Sequence, residues 1–225
     1  MKTLAVIPCK NLENEVGDVI AGIRALDLEL DVLVVDDGST DNTSRAASEA
    51  GAEVLSHEQN LGKGAALKSG FGYAVERGYD AVITMDGDGQ HDPKAIPLFM
   101  ERFARGDADI VVGSRMHAVG DMPAIRVWTN RTTSRIVSGI AGQEIPDSQS
   151  GYRMIGTPVL KAIAGSLVTT RYDMESELLI RAGRRGYRIA AVPIESIYEG
   201  SVSHINPFVD TCRFMGLVFR SLFWR

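Results

Sequence analysis

A chain of 225 residues, 44% of them hydrophobic, is long enough to bury one sizeable core. Its formal net charge of -5 and pI near 5.4 offer no general attraction to nucleic acid, so that class of partner is excluded and an anionic ligand has to be held by local basic groups or a metal. Cys9 and Cys212 lie far apart with no CxxC or His-rich context and read as reduced thiols of a cytosolic chain, with a disulfide left open.

The opening "MKTLAVIPCKN" has an apolar run too short for a signal h-region or a membrane span; it makes a first strand, and the chain is expected to stay in the cytoplasm. Val16, Val19, Ile20, Ile23 and Leu26 then recur at helical spacing, "DVLVVDD" reads as a second strand, and Asp41 opens a helix. The alternation continues through "AEVLSH", a helix from about 63 to 77, "DAVITMD", a helix entered at Pro93 and capped by Asp92, and "ADIVVGS". Beyond Arg115 the pattern loosens into a helix from roughly 125 to 141, a loop carrying "IPDSQSGYRMI", a helix near 173 to 185 and a strand "YRIAAVPI". This grammar predicts a three-layer α/β/α fold around a mostly parallel sheet. Residues 1–206 are expected to form a single domain, with 207–225 an added amphipathic helix.

In such sheets ligands bind beyond the C-terminal ends of the strands, and Pro8 to Asn11, Asp36 and Asp37, and Asp86 with Asp88 fall there. Two carboxylates at i and i+2 of an extended strand project to one side and repel each other unless a cation intervenes. With only oxygen ligands that cation is Mg²⁺ or Mn²⁺, and Gln90 or His91 could complete the shell. The plainer reading is a solvated Asp/Gly turn. An EF-hand loop fails, because His91 and Pro97 stand where Gly and Glu are required, and a Walker A loop fails at His57 and Gly64. A DxD phosphohydrolase survives as a rival.

The ordered stretches "IPCKN", "VVDDGSTDNT", "NLGKGAAL", "MDGDGQHDP", "VGSR" and "DSQSGYR" resemble family 2 inverting glycosyltransferases of GT-A fold, most closely the dolichol-phosphate mannose synthase and polyprenyl-phosphate branch, over roughly residues 3 to 210. The resemblance implies a nucleotide-diphosphate sugar donor of GDP-mannose or UDP-glucose type, with Pro8, Asp36 and Asp37 beside the base and ribose. It implies a metal held by Asp86, Asp88 and Gln90, and Arg115 facing the donor and acceptor phosphates. The family's "PxYNE" reads "PCKNL" here, with Asn11 retained and Glu13 the nearest acid, and His204 in "YEGSVSHINP" stands where the mannose synthases often carry Lys.

Two acceptor chemistries follow. A hydroxyl acceptor, on a glycan or small metabolite, needs a base, for which Asp147 is the candidate; a polyprenyl phosphate is already a nucleophilic anion and needs positive charge instead. Arg115, Arg126, Arg131, Arg135 and Arg153 suit that need, Arg131 more than Arg135, and Arg153 with Tyr152 is weighed as a ligand contact against a site wall. Lys63 either touches the donor phosphates or caps into solvent. A sugar-nucleotide binding module without turnover is the non-catalytic rival. The tail "NPFVDTCRFMGLVFRSLFWR" mixes aromatics with Arg213, Arg220 and Arg225: it either lies on a membrane surface at the cytoplasmic face or packs on the core or a second subunit.

Overall fold

The computed structural model describes residues 1–117, 124–195 and 207–224; His204, Arg225 and most of "YEGSVSHINP" lie outside them. The first strand, β1 (Thr3–Cys9), sends Leu4 and Val6 into one core and Ala5 and Ile7 into another, as a pleat of period two requires. A strand buried on both faces needs helices on both sides. α1 (Val16–Arg24) covers one of them, burying Val16, Val19, Ile20 and Ile23 along a single stripe.

The chain then alternates through β2 (Leu30–Asp36), α2 (Thr43–Glu49), β3 (Glu53–Ser56), α3 (Lys63–Glu76), β4 (Ala81–Thr84), a 3-10 turn at Pro93–Ala95, α4 (Ile96–Ala104) and β5 (Ile110–Ser114). The second half adds α5 (Ala124–Ala141), β6 (Arg153–Gly156), α6 (Thr157–Ile163), a 3-10 turn at Ala164–Ser166, α7 (Asp173–Arg184), β7 (Ile189–Pro193) and α8 (Pro207–Ser221). The strands form one seven-stranded sheet in the order β3-β2-β1-β4-β6-β5-β7. All pairs are parallel except those of β6, which runs antiparallel to both β4 and β5. Helices α1, α2 and α4 contribute to the core on one face, and α3, α5, α6 and α7 to that on the other, which is the expected three-layer arrangement.

Two expectations need correction. The stretch 153–156, read as loop, is β6, and α6 directly follows it. Four residues with a buried arginine at their head show neither alternation nor an apolar run, so periodicity has nothing to detect. Asp41 does not open α2, which begins at Thr43; its Oδ1 accepts from Thr43 N (3.0 Å) and its Oδ2 from Glu13 N (3.2 Å), tying two loops together. Asp92 does cap, accepting from Lys94 N at 2.9 Å ahead of Pro93.

Helix α8 divides between its two readings. Leu217 and Ser221 are buried, and Arg184 on α7 donates from Nη1 to Ser221 O (2.5 Å) and Trp224 O (3.1 Å). The Arg181 guanidinium sits 3.7 Å from the Trp224 ring centroid. One face is therefore docked, while Met215, Phe219, Leu222 and Phe223 stay exposed. No described helix is long and apolar enough to cross a membrane.

Candidate active site

Strands β1, β2 and β4 end side by side and in parallel, so the residues after them share one edge of the sheet. The loops beyond β1 and β2 are knotted together by the polar residues expected to meet a nucleotide. Asn11, held at φ 52, accepts on Oδ1 from Thr40 N (2.9 Å), and its backbone N donates to Ser39 Oγ (2.9 Å). Glu13 Oε2 accepts from the backbone and side-chain nitrogens of Asn42, both at 2.9 Å. Asp36 is buried and accepts from Ser39 N (2.9 Å), Ser39 Oγ (2.5 Å) and Ser44 Oγ. Pro8 is half-buried near the end of β1, beside Val35.

Asp37 has a second task. Buried, it accepts from Leu61 N (2.9 Å) and Gly62 N (2.7 Å) and lies 2.8 Å from His57 Nδ1, so one carboxylate pins the whole 57–62 loop. Gly62, at φ 99, passes so close to the 167–172 loop that a Cβ there would stand 2.5 Å from Thr170 O. The N-terminus of α3, and with it Lys63, is thereby set against β4 and α7.

Lys63 is the cation that the acidic stretch appeared to lack. Its Nζ is 2.6 Å from Asp86 Oδ1 and 3.1 Å from Glu175 Oε1. It is neither capped into solvent nor reaching outward; it bridges two carboxylates from β4 and α7. Burial alone would raise the Asp86 carboxyl, but the Lys63 ammonium, His91 and Arg115 together outweigh it and hold Asp86 at a pKa of about 2. Burial acts against the Lys63 ammonium as well, and the two carboxylates reverse it, raising Lys63 above its ordinary value. The ion pair with Glu175 leaves Oε1 buried without a hydrogen bond. Glu175 was not among the sequence candidates, because a Glu on an amphipathic helix reads as a solvated face. Gly151 closes the other side: a Cβ there would meet Glu175 Oε1 at 2.8 Å, Lys63 Nζ at 3.0 Å and Asp86 Oδ1 at 3.4 Å, so only glycine leaves room beside the three charges.

Asp88 feels the opposite balance. Burial and the neighbouring Asp86 both raise its pKa, and Gln90 counters in part, donating from N to Oδ1 (3.0 Å) and from Nε2 to Oδ2 (2.8 Å). The Gln90 amide nitrogen is thus committed to Asp88. Buried His91 accepts on Nδ1 from Asp86 N (3.0 Å) and stacks on Tyr152, which stacks in turn on Phe99; burial holds this imidazole neutral, at a pKa of about 4. Tyr152 is a wall of the site and not a contact.

Two arginines divide sharply. Arg115, at the end of β5, is gripped at both ends of its guanidinium by Asp147: Nε to Oδ2 at 2.8 Å and Nη2 to Oδ1 at 3.0 Å. Asp147 is fully buried with both oxygens so used, which corrects its candidacy as a base; it positions Arg115. Arg153 is also corrected. Only 2% exposed, it donates from Nε to Ser150 O (2.8 Å), Nη1 to Glu175 O (2.6 Å) and Nη2 to Ser148 O (2.9 Å), joining the 147–151 loop to α7 beneath the site. Arg153→Met is expected to lower stability by about 3 kcal/mol, since three buried carbonyls lose a charged donor, while donor KM in the folded fraction stays near wild type. Denaturant unfolding and initial rates check both parts. Arg126, Arg131 and Arg135 are exposed on α5, which reaches the same loop one turn beyond Arg131, where Ser134 Oγ accepts from Ser148 N (2.9 Å).

Among the described residues no three His, Cys, Asp or Glu side chains are disposed to hold a metal together. Asp86 and Asp88 are two hard oxygen donors whose charges disfavour each other, and Glu175 Oε1 lacks a hydrogen bond close by. That set fits a cation which completes its shell with water and substrate phosphates, as Mg²⁺ does, and not a closed protein cage.

Residues 4–163 match the family model described as Glycosyl transferase family 2. The chain is 34% identical to an undecaprenyl-phosphate mannosyltransferase of Micrococcus luteus, the match covering 86% of this chain and 83% of that protein. It is 32% identical to a UDP-N-acetylglucosamine–dolichyl-phosphate N-acetylglucosaminyltransferase of Methanococcus voltae, over 86% and 84%. Among solved structures it superposes with TM-score 0.74 and 22% identity on glucosyl-3-phosphoglycerate synthase of Mycobacterium tuberculosis in complex with Mn²⁺, UDP and phosphoglyceric acid, covering 98% of this chain and 77% of that one.

Proposed function

Because the chain belongs to glycosyl transferase family 2 and has the GT-A fold, we propose that it moves one hexose, with inversion, from a nucleotide-diphosphate sugar to a polyprenyl phosphate at the cytoplasmic face of a membrane. The observation that carries this reading is the crevice at the ends of β4 and β5. There Asp86 and Asp88 lie beside two cations, Lys63 and Arg115, that are locked in place by carboxylates of their own. The names of relatives at 30% identity and above support the lipid-phosphate acceptor.

Breaking the anomeric C–O bond leaves negative charge on the departing diphosphate. A Mg²⁺ or Mn²⁺ ion held by Asp86 and Asp88, with Gln90 beside them, would supply Lewis-acid neutralisation of that charge. Arg115 turns a rigid, pre-oriented guanidinium toward the phosphates because Asp147 removes its freedom. Arg131 adds exposed positive charge on α5. The acceptor phosphate arrives as an anion, so the chemistry needs no side-chain base, in keeping with an Asp147 fully engaged by Arg115. Pro8, Asn11, Glu13, Asp36 and Asp37 shape the nucleotide end through the loops that they fasten.

The test supplies labelled GDP-, UDP- and dTDP-sugars with polyprenyl phosphate, with and without Mn²⁺. Label should enter the organic phase from one nucleotide class, and only with metal. Transfer to water alone, with phosphate released and an aspartyl intermediate trapped, would replace this reading by phosphohydrolysis. Donor binding unaffected by metal would remove the role given to Asp86 and Asp88.

A further inference from the structure

On the side of Lys63 that faces α7, the 168–173 loop meets α8 across a cleft lined by Thr169, Thr170, Arg171, Asp173, Arg213 and Arg220. Arg213 and Arg220 are seven residues apart, two helical turns, so they fall on the same side of α8 and face Arg171 across the gap. Among the described lining residues three guanidinium groups stand against the carboxylate of Asp173 and give a positive balance, and the Thr170 hydroxyl adds a short polar partner, that of Thr169 being given to Glu177 Oε2 (2.7 Å). The cleft also lies at the N-terminal end of α7, where the helix dipole favours an anion. The walls are held from behind. Buried Glu177 accepts from Val168 N (3.1 Å) and Thr169 N (2.8 Å), and Leu217 and Ser221 anchor α8.

The outer face of α8 says where that anion resides. Met215 and Phe219, with Leu222 and Phe223 in the turn that directly follows the helix, are exposed by 56%, 63%, 62% and 71% and make one apolar surface away from the docked face. Arg213 and Arg220 lie between the stripe and the docked face. In a helix lying at a membrane surface with such a stripe in the acyl boundary, flanking arginines sit at the depth of the headgroups.

We infer that the cleft between the 168–173 loop and α8 is a binding site for the phosphate of an anionic lipid headgroup, with the α8 stripe seated in the membrane surface beside it. This deepens the membrane-facing reading above by naming the residues that contact lipid phosphate. It concerns the bilayer's own lipids and leaves the acceptor to Arg115 and Arg131.

The test uses the full chain without donor or metal, so its failure is separate from failure of the transfer reading. Flotation with phosphatidylcholine vesicles, with and without phosphatidylglycerol, reads the partition. Wild type should float with the anionic vesicles only. Each arginine near an anionic surface contributes about fivefold in partition, so the triple variant Arg171→Ala, Arg213→Ala, Arg220→Ala should lose roughly a hundredfold. The matching triple lysine variant should retain most of the binding, and it guards against a loss caused by misfolding. Inorganic phosphate separates the sources: a melting shift that requires the three arginines, without flotation, would assign the cleft to a soluble phosphate and overturn the lipid. Equal flotation of the alanine variant would overturn the cleft altogether. A concentration-dependent dimer abolished by Phe219→Ser, with no vesicle binding, would give the stripe to a second copy of the chain and overturn the membrane placement.

Discussion

Asp88→Asn is expected to cut kcat on the order of a thousandfold, the scale of losing one preorganised charge interaction with a developing anion, while leaving the fold at least as stable as wild type. The second half of that expectation comes from the direction of the Asp88 shift. Burial and Asp86 both work against its charge, so in the folded chain without metal an ionised Asp88 is a cost that the amide removes. Asparagine keeps an oxygen for Gln90 N, and only the bond from Gln90 Nε2 to Oδ2 is lost. Initial rates with saturating Mn²⁺, set beside thermal unfolding without metal, test the two parts together. A variant retaining a tenth of wild-type kcat, or one that melts well below it, would show Asp88 to be structural.

Lys63→Met carries the opposite signature, a large loss of stability. It leaves Asp86 and Glu175 facing each other around Gly151 with no cation between them, and breaking a buried pair from one side costs about 3–5 kcal/mol. Lys63→Met with Glu175→Gln should recover most of that, because the residual carboxylate is then single. Mn²⁺ should raise the melting temperature of Lys63→Met more than that of wild type, since the ion replaces a charge the chain has lost. The pH dependence has a defined sign. Asp86 is depressed to about 2, so its share is complete above its ordinary 3.8 and is lost as pH falls toward 2. Lys63 is raised above its ordinary 10.5, so its share is complete below that value and is lost only at higher pH. The stability that wild type draws from the pair should therefore be constant between 3.8 and 10.5, whereas in Lys63→Met the two uncompensated buried carboxylates are driven to take up a proton, so the wild-type advantage should shrink as pH falls below neutral. A free-energy difference that stayed the same from acid to neutral pH would exclude the three charges as its source.

Everything carried by local period and strand-end chemistry was legible in the order of the amino acids. The apolar run of β1, the stripe of α1 and the alternation up to β5 specify a doubly covered, mostly parallel sheet, because burial on two faces admits little else. That topology brings the ends of β1, β2 and β4 together, so the acids after them fall at one edge of the sheet, as their positions after apolar runs imply. Asp86 and Asp88 lie there, as does Arg115.

How each charge is used becomes visible only in the folded chain, because pairing depends on which side chains converge from distant segments. The repulsion between Asp86 and its neighbour looked like a demand for metal alone; Lys63, over twenty residues earlier, and Glu175, on α7, already form an internal ion network on one side of it. Asp147 and Arg153 carry the residue types of a base and a phosphate ligand. Burial turned one into the clamp on Arg115 and the other into a strut beneath the site. Strand β6 escaped notice for a related reason: four residues owe their extended form to the two neighbours they pair with and to nothing in their own pattern. The tail's pattern announced an amphipathic helix, but which of its faces meets α7 and which meets the outside is set by the surface that receives it.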